Sequence, residues 1–323
     1  MPSSRPPAAD GMVTLTRTTV AGREKVRGRH HRGESLTKVL FVLPAVVAMV
    51  ALFGYPVVKN LLMSLQDYGL KTFFTGAAPW VGLKNYSTVV TDKLFSDAML
   101  NTALFTVGSI AFQFAIGLGL ALFFRNRFPL SGLLRSLLLL PWLLPLIVSS
   151  ATWRSILEQD SGILNRTLLK LHLIGDPVPW LNSPSVALIA VIGVNIWIGI
   201  PFNVTLLYSG LAEIPDELYE AGQLDGATGW RAFWYITWPN LRAVASVLLM
   251  LGVVYTIKVL DIILGLTGGG PANATQTLAT QSYEKSFVDF RFGQGAALSN
   301  ILIAISFVFA IFYLRGTRRA VDE

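Results

Sequence analysis

The sequence predicts an all-α polytopic membrane protein with six transmembrane helices and a structured inside loop between spans four and five. Three observations carry this. Of the 323 residues, 53% are hydrophobic and only 14% charged, where a soluble domain has about a quarter charged. The mean hydropathy is +0.55. The apolar residues also fall in separated blocks of roughly 20, the length a helix needs to cross about 30 Å of hydrocarbon. Composition therefore excludes an ordinary soluble enzyme. The chain has no cysteine, which removes disulfide frameworks, thiolate nucleophiles, iron–sulfur sites and cysteine zinc sites.

Six windows pass the length and apolarity test: 39–64, 98–124, 133–153, 185–208, 243–266 and 294–314. Proline or glycine interrupts them, including Pro44, Pro56, Pro141, Pro145, and Gly199 followed by Pro201. Transmembrane helices tolerate such residues because neighbouring helices satisfy the freed backbone groups, so kinks rather than loops are predicted. Residues 1–38 are rich in Pro, Ser, Thr and Arg, hold eight Lys/Arg and contain no apolar run, which predicts a disordered basic tail. The first window starts late, is about 26 residues long and has no convincing small-residue cleavage site, so it is expected to be a retained signal anchor.

With the amino terminus inside, the inner segments (before 39, 125–135, 209–242 and 315–323) hold sixteen of the 26 Lys/Arg. Basic residues concentrate on the cytoplasmic side of membrane proteins. The formal charge of +7 thus reads as an orientation signal placing both termini in the cytoplasm, and not as a nucleic-acid footprint. On this plan 39–315 is the membrane domain and 316–323 a short cytoplasmic tail. The outside loop 65–97 carries Trp80 and Tyr86, read either as interfacial anchors or as contacts to an external partner.

The inside loop is chemically unlike the rest. Residues 209–242 hold five acidic and two basic residues. A helix lying on an anionic inner leaflet is usually basic, so a cytoplasmic protein partner explains the balance better. Two short helices are expected. Pro215 suits a first helical position, with Asp216, Glu217 and Glu220 near the positive end of the dipole. Asp225-Gly226 is a turn signal, and Trp230, Phe233, Trp234 and Ile236 form a helical stripe ahead of Pro239.

Glu220-Ala221-Gly222, three residues, Gly226, nine residues, Ile236, two residues and Pro239 resemble the EAA loop of the membrane subunits of bacterial ABC importers. Gly222 replaces the second alanine of that pattern, which should loosen the helix slightly, and Trp238 replaces a leucine. Leu140-Pro-Trp-Leu-Leu-Pro145, Asn195-Ile-Trp-Ile-Gly-Ile-Pro201, Leu266-Thr-Gly-Gly-Gly-Pro271 and Gly293-Gln-Gly-Ala-Ala297 are similar to segments of the maltose-type sugar permeases, in the same order. With the loop, the resemblance covers roughly residues 39–315.

The resemblance implies a permease subunit of the bacterial plasma membrane, non-catalytic in itself. It would form half of a translocation pathway with a second homologous permease subunit. Two copies of a cytoplasmic ATPase subunit would bind the ATP and Mg, and an extracytoplasmic sugar-binding protein or lipoprotein would deliver the sugar, a disaccharide such as trehalose. The chain accordingly has no G-x-x-x-x-G-K-[ST] phosphate loop. It implies that 215–237 couples to the ATPase, with Glu220 bonding in a groove of that subunit, Tyr219, Ala221, Gly222 and Leu224 packing there, and Asp225 and Gly226 making the turn. It places Trp142, Asn195, Gly199 and Thr256 on the sugar pathway, with Leu146 where the family has small polar groups. From the residues alone, Asn195 is equally an interhelical hydrogen-bonding group and Trp142 a packing residue.

Lys258 and Asp261 lie three apart in the fifth window, read as a structural pair or else as a relay. A relay would suit an ion-gradient secondary transporter, the rival reading, which leaves the EAA-like loop unexplained. The three histidines, His30, His31 and His172, all lie outside the windows, and no H-E-x-x-H or G-x-S-x-G arrangement supports an intramembrane enzyme.

Overall fold

The computed structural model describes residues 32–126 and 128–322, which are mostly helical with no strand among them beyond one isolated bridge. Two units, Met1–Tyr55 and Pro56–Glu323, separate by their contacts. In the first, α1 (Arg32–Met49) accommodates Pro44 internally and passes into a π-turn at Val50–Gly54. Helix is thus present from Arg32, ahead of the expected start at 39. The rest of the basic tail, 1–31, lies outside the described residues.

Among the described residues, five helices are long and apolar enough to cross a membrane: Leu40–Ser64, Lys93–Arg125, Ala187–Ala212, Trp230–Thr256 and Phe292–Tyr313. A further pair of helices, Ser131–Leu143 and Leu146–Ile156, is long and apolar enough only when taken together, and is bent by 96° at its break. Here the kink expected at Pro145 is a break. Leu144 (φ −74°, ψ 139°) is out of the helical region because a proline's ring pushes the residue before it toward extended geometry, and Pro145 (φ −56°, ψ 134°) is extended beside it. Pro201, by contrast, stays within its helix.

In chain order, α2 (Tyr55–Ser64) leads to the outer loop, with α3 (Leu70–Thr75) and α4 (Lys84–Val90). Tyr86 on α4 turns into its own chain: its hydroxyl lies 2.8 Å from Ser64 Oγ and accepts from Asn300 Nδ2 at 3.1 Å. Tyr86 is half-buried, whereas Trp80 is exposed. Next come α5 (Lys93–Arg125), α6 (Ser131–Leu138), α7 (Leu140–Leu143), α8 (Leu146–Ile156), the outer α9 (Ile163–Lys170) and α10 (Ala187–Ala212). The inner loop holds α11 (Asp216–Leu224). Then α12 (Trp230–Ala232) runs through a π-turn at Phe233–Thr237 into α13 (Trp238–Thr256). Pro239 lacks an N–H, and the wider turn before it absorbs the missing bond. α14 (Asp261–Leu266), α15 (Leu278–Tyr283) and α16 (Phe292–Asp322) complete the chain.

Two expectations for the fifth window are corrected. The aromatic stripe is the start of span five rather than a separate short helix. The span ends at Thr256, so Lys258 and Asp261 do not share a face of it. Both are exposed and no ion pair joins them. The chain leaves the helix there while Ile262 and Ile263 turn into an apolar cluster with Phe105, Val191 and Val194.

Packing in the bilayer rests on close fit rather than on a hydrophobic driving force. α10 lies along α5, and small residues permit the approach. A methyl on Gly117 would stand 2.6 Å from Asn203 Cβ, and one on Gly199 would stand 2.6 Å from Gln113 Oε1. A second cluster joins α5, α10 and α13 at the end nearest α11 through Ala121, Leu207, Leu211 and Leu241. A third joins α4, α5, α15 and α16 at the opposite end of α5 through Val89, Ala98, Leu278 and Leu298.

Candidate functional site

The backbone interruptions converge on a cavity of about 370 Å³. Gln113 reaches it from the middle of α5, Trp142 from the short helix before the 96° break, Asn195 and Gly199 from α10, and Tyr255 and Thr256 from the end of α13. All four residues nominated from the sequence, Trp142, Asn195, Gly199 and Thr256, therefore line one space. Leu146 is not among its lining residues.

The chemistry of this space is specific. Gln113 Nε2 donates to the Asn195 backbone carbonyl at 2.9 Å, and Asn203 Nδ2 donates to the Gly199 carbonyl at 2.9 Å. The Asn195 side-chain Nδ2 is buried with no partner among the described residues. The interhelical bond at this position is thus made by the Asn195 backbone, not by its side chain. The Trp142 side chain is 55% exposed, with its ring 6.0 Å from that of Phe202, so core packing does not hold it. Tyr255 is exposed as well, with Lys258 Nζ 5.1 Å from its ring centroid. Aromatic faces beside a few placed amide groups in a mostly apolar cavity are the features of small-molecule sites in general. Sequence reasoning missed Gln113 and Tyr255. A glutamine deep in an apolar window was a usable signal, because polar groups within spans mark pathways or close packing.

In the loop between α10 and α13, Pro215 is the N-cap of α11, so the helix starts one residue later than expected, with Asp216 and Glu217 in the first turn. The helix ends where Gly226 adopts φ +75°, a conformation that costs an L-residue about 1–2 kcal/mol, and Ala227 N donates back to Gly222 O at 2.7 Å. Glu220, Ala221 and Asp225 are exposed, and Leu224 is 90% exposed. Tyr219 and Gly222 differ from the expected surface, since both turn toward their own chain. The Tyr219 hydroxyl lies 2.9 Å from Thr237 Oγ1, and the Arg125 guanidinium sits 3.7 Å from the centre of its ring. Gly222 faces Ile236, whose Cδ1 would be 2.5 Å from an added methyl. The glycine is therefore a fit to Ile236 rather than a loosening of the helix.

Residues 113–320 match the family model described as binding-protein-dependent transport system inner membrane component. The chain belongs to that family. Among transport system inner membrane components of this kind, it is 33% identical over 279 residues to the trehalose/maltose transport system permease protein MalF of Thermococcus litoralis, a match covering 86% of this chain and 92% of that one. It is 30% identical over 317 residues to the diacetylchitobiose uptake system permease protein DasB of Streptomyces coelicolor, covering 97% and 96%. Its fold matches a chain of a bacterial ABC transporter that imports the acidic polysaccharide alginate, with TM-score 0.77 and 21% identity, covering 89% of this chain and 96% of that one.

Proposed function

We propose that this chain is one of the two membrane subunits of an ATP-driven sugar importer and forms half of the pathway for a disaccharide such as trehalose. The observation that carries the reading is the cavity, where segments far apart in sequence bring Trp142, Asn195, Gly199 and Thr256 together with an unpartnered amide and exposed aromatic rings. The two named relatives, for trehalose/maltose and for diacetylchitobiose, support a disaccharide. A second homologous permease subunit completes the pathway. An extracytoplasmic sugar-binding protein delivers the ligand, and two cytoplasmic ATPase subunits hold ATP and Mg. The exposed Glu220, Ala221 and Leu224 of α11 dock in the ATPase, and Gly226 turns the chain back. Both termini lie in the cytoplasm. A relay through Lys258 and Asp261 has no ion pair to support it.

The deciding experiment compares uptake of radiolabelled trehalose by cells carrying the native chain or Asn195→Ala, each set against the amount of assembled importer. At equal assembly, a loss of uptake of tenfold or more is expected. Undiminished uptake removes Asn195 from the pathway. Trehalose uptake that persists without the ATPase subunits and collapses with the proton gradient overturns the importer reading.

A further inference from the structure

α11 is connected to two of the membrane helices by short stretches of main chain. Residues 213–215 join it to α10, and residues 225–229 lead to the long helix that contains α13. α5 has no such connection, because Arg125, its last residue, is separated from Asp216 by the whole third and fourth spans. Side chains alone tie the inner end of α5 to α11, and Arg125 makes the directional part of that tie. Its guanidinium lies 3.7 Å from the centre of the Tyr219 ring and 3.6 Å from Asp216 Oδ1. Tyr219 passes the connection on, since its hydroxyl is 2.9 Å from Oγ1 of Thr237, which is buried in the π-turn ahead of α13.

The two contacts of Arg125 are unequal. Asp216 is 86% exposed, and ion pairs open to water contribute little. The stack on Tyr219 is partly shielded and requires the flat guanidinium, which lysine cannot imitate. The apolar cluster beneath, including Ala121, Leu207 and Leu211, fills space but does not fix a direction along the helix axes.

We infer that Arg125 is the positioning residue that makes span two follow α11, so that a displacement of α11 carries α5 with it and not only α10 and α13. This inference rests on the reading of α11 as the element docked to the ATPase.

The chain has no cysteine, so spin labels can be placed on it uniquely. Phe123→Cys on α5 and Glu217→Cys on α11, both at exposed positions, report the separation of the two helices. The measurement uses the importer purified whole from its native membrane, nucleotide-free and trapped with ATP and vanadate, together with its ATP hydrolysis rate. With Arg125 intact, one narrow separation common to both states is expected. Arg125→Ala is expected to keep ATP hydrolysis within about twofold while the separation broadens or shifts on trapping, and Arg125→Lys should resemble it more than the native chain. The inference is overturned if Arg125→Ala keeps the native separation in the trapped state, or if it abolishes ATP hydrolysis. It is equally overturned if neither variant assembles, since Arg125 is then a folding residue. Glu220→Ala separates the two readings: normal assembly and hydrolysis in that variant removes the docking role of α11 itself, whereas unchanged Arg125 variants remove only the tie to α5.

Discussion

Gly199→Ala is the sharpest probe of how the cavity wall is built. An added methyl stands 2.6 Å from Gln113 Oε1, well inside normal contact, so the amide must leave its place. Overpacking of this kind costs about 1–3 kcal/mol. Moving the amide also breaks its 2.9 Å bond to the Asn195 carbonyl, and a buried group left unpaired costs about 1–3 kcal/mol. The two penalties overlap, because the displaced amide relieves the clash, so about 2–3 kcal/mol is expected for Gly199→Ala. Gln113→Ala removes the bond without the clash and should cost about 1–2 kcal/mol. The double variant has an open space where the amide was and should be no worse than Gln113→Ala alone, giving a coupling energy of about 2–3 kcal/mol, the whole cost of Gly199→Ala. The assay is the thermal midpoint of the detergent-solubilised chain for the native protein, both single variants and the double variant. Additive losses would show that Gly199 and Gln113 do not oppose each other, and the account of the α5–α10 contact would fail.

Three further outcomes are expected. Asn165 is buried and holds the outer loop together: its Nδ2 donates to the carbonyls of Gln159 at 2.9 Å and Val178 at 2.8 Å, and its Oδ1 accepts from Trp180 Nε1 at 2.8 Å. Asn165→Ala should cost about 3 kcal/mol, read as faster proteolysis between α8 and α10, and native resistance would contradict it. Gly222→Ala should destabilise the contact of α11 with the π-turn ahead of α13 by about 1–2 kcal/mol because of Ile236. Adding Ile236→Val should recover most of that, again by thermal midpoint. The Ser161 hydroxyl, 2.6 Å from Glu158 Oε2, with help from backbone N–H groups, holds the Glu158 carboxyl below its ordinary value. Such a group stabilises the fold above the unfolded carboxylate value of about 4.3 and loses that contribution as pH falls through its lowered folded value. Native chain and Glu158→Gln should therefore differ in thermal midpoint at neutral pH and converge in strong acid; a constant difference would refute the assignment.

The positions of the membrane crossings were legible in the sequence because apolar length is a local property. Four of the six windows correspond to single helices with ends moved by a few residues. The break at Pro145 was half legible: the proline announced a disturbance, but its size depends on whether the freed groups find partners in neighbouring helices. The start of span five was not legible, because an aromatic stripe at helical spacing looks the same in a short helix and in the first turns of a long one. The orientation of Tyr219 was hidden for another reason. Its partners are Arg125 and Thr237, far off in the chain, and a tyrosine on a short polar helix carries no mark of which way it faces. The gathering of Trp142, Asn195, Gly199 and Thr256 came from resemblance rather than periodicity, and only the fold shows why Gln113 and Tyr255 accompany them.

The helix from Trp230 to Thr256 runs 27 residues without interruption apart from one π-turn. At 1.5 Å per residue it is a lever about 40 Å long. Its inner end carries the stacked rings of Trp230 and Phe233, and its outer end carries Tyr255 and Thr256 at the cavity wall. A lever of that length turning through about 5° moves one end by roughly 3 Å relative to the other. That is about the width of a water molecule, enough to make or break hydrogen bonds at the cavity without any change in the helix itself. If the helix moves as a rigid body, a displacement at its Trp230 end and the shape of the cavity at its Thr256 end are set by one angle.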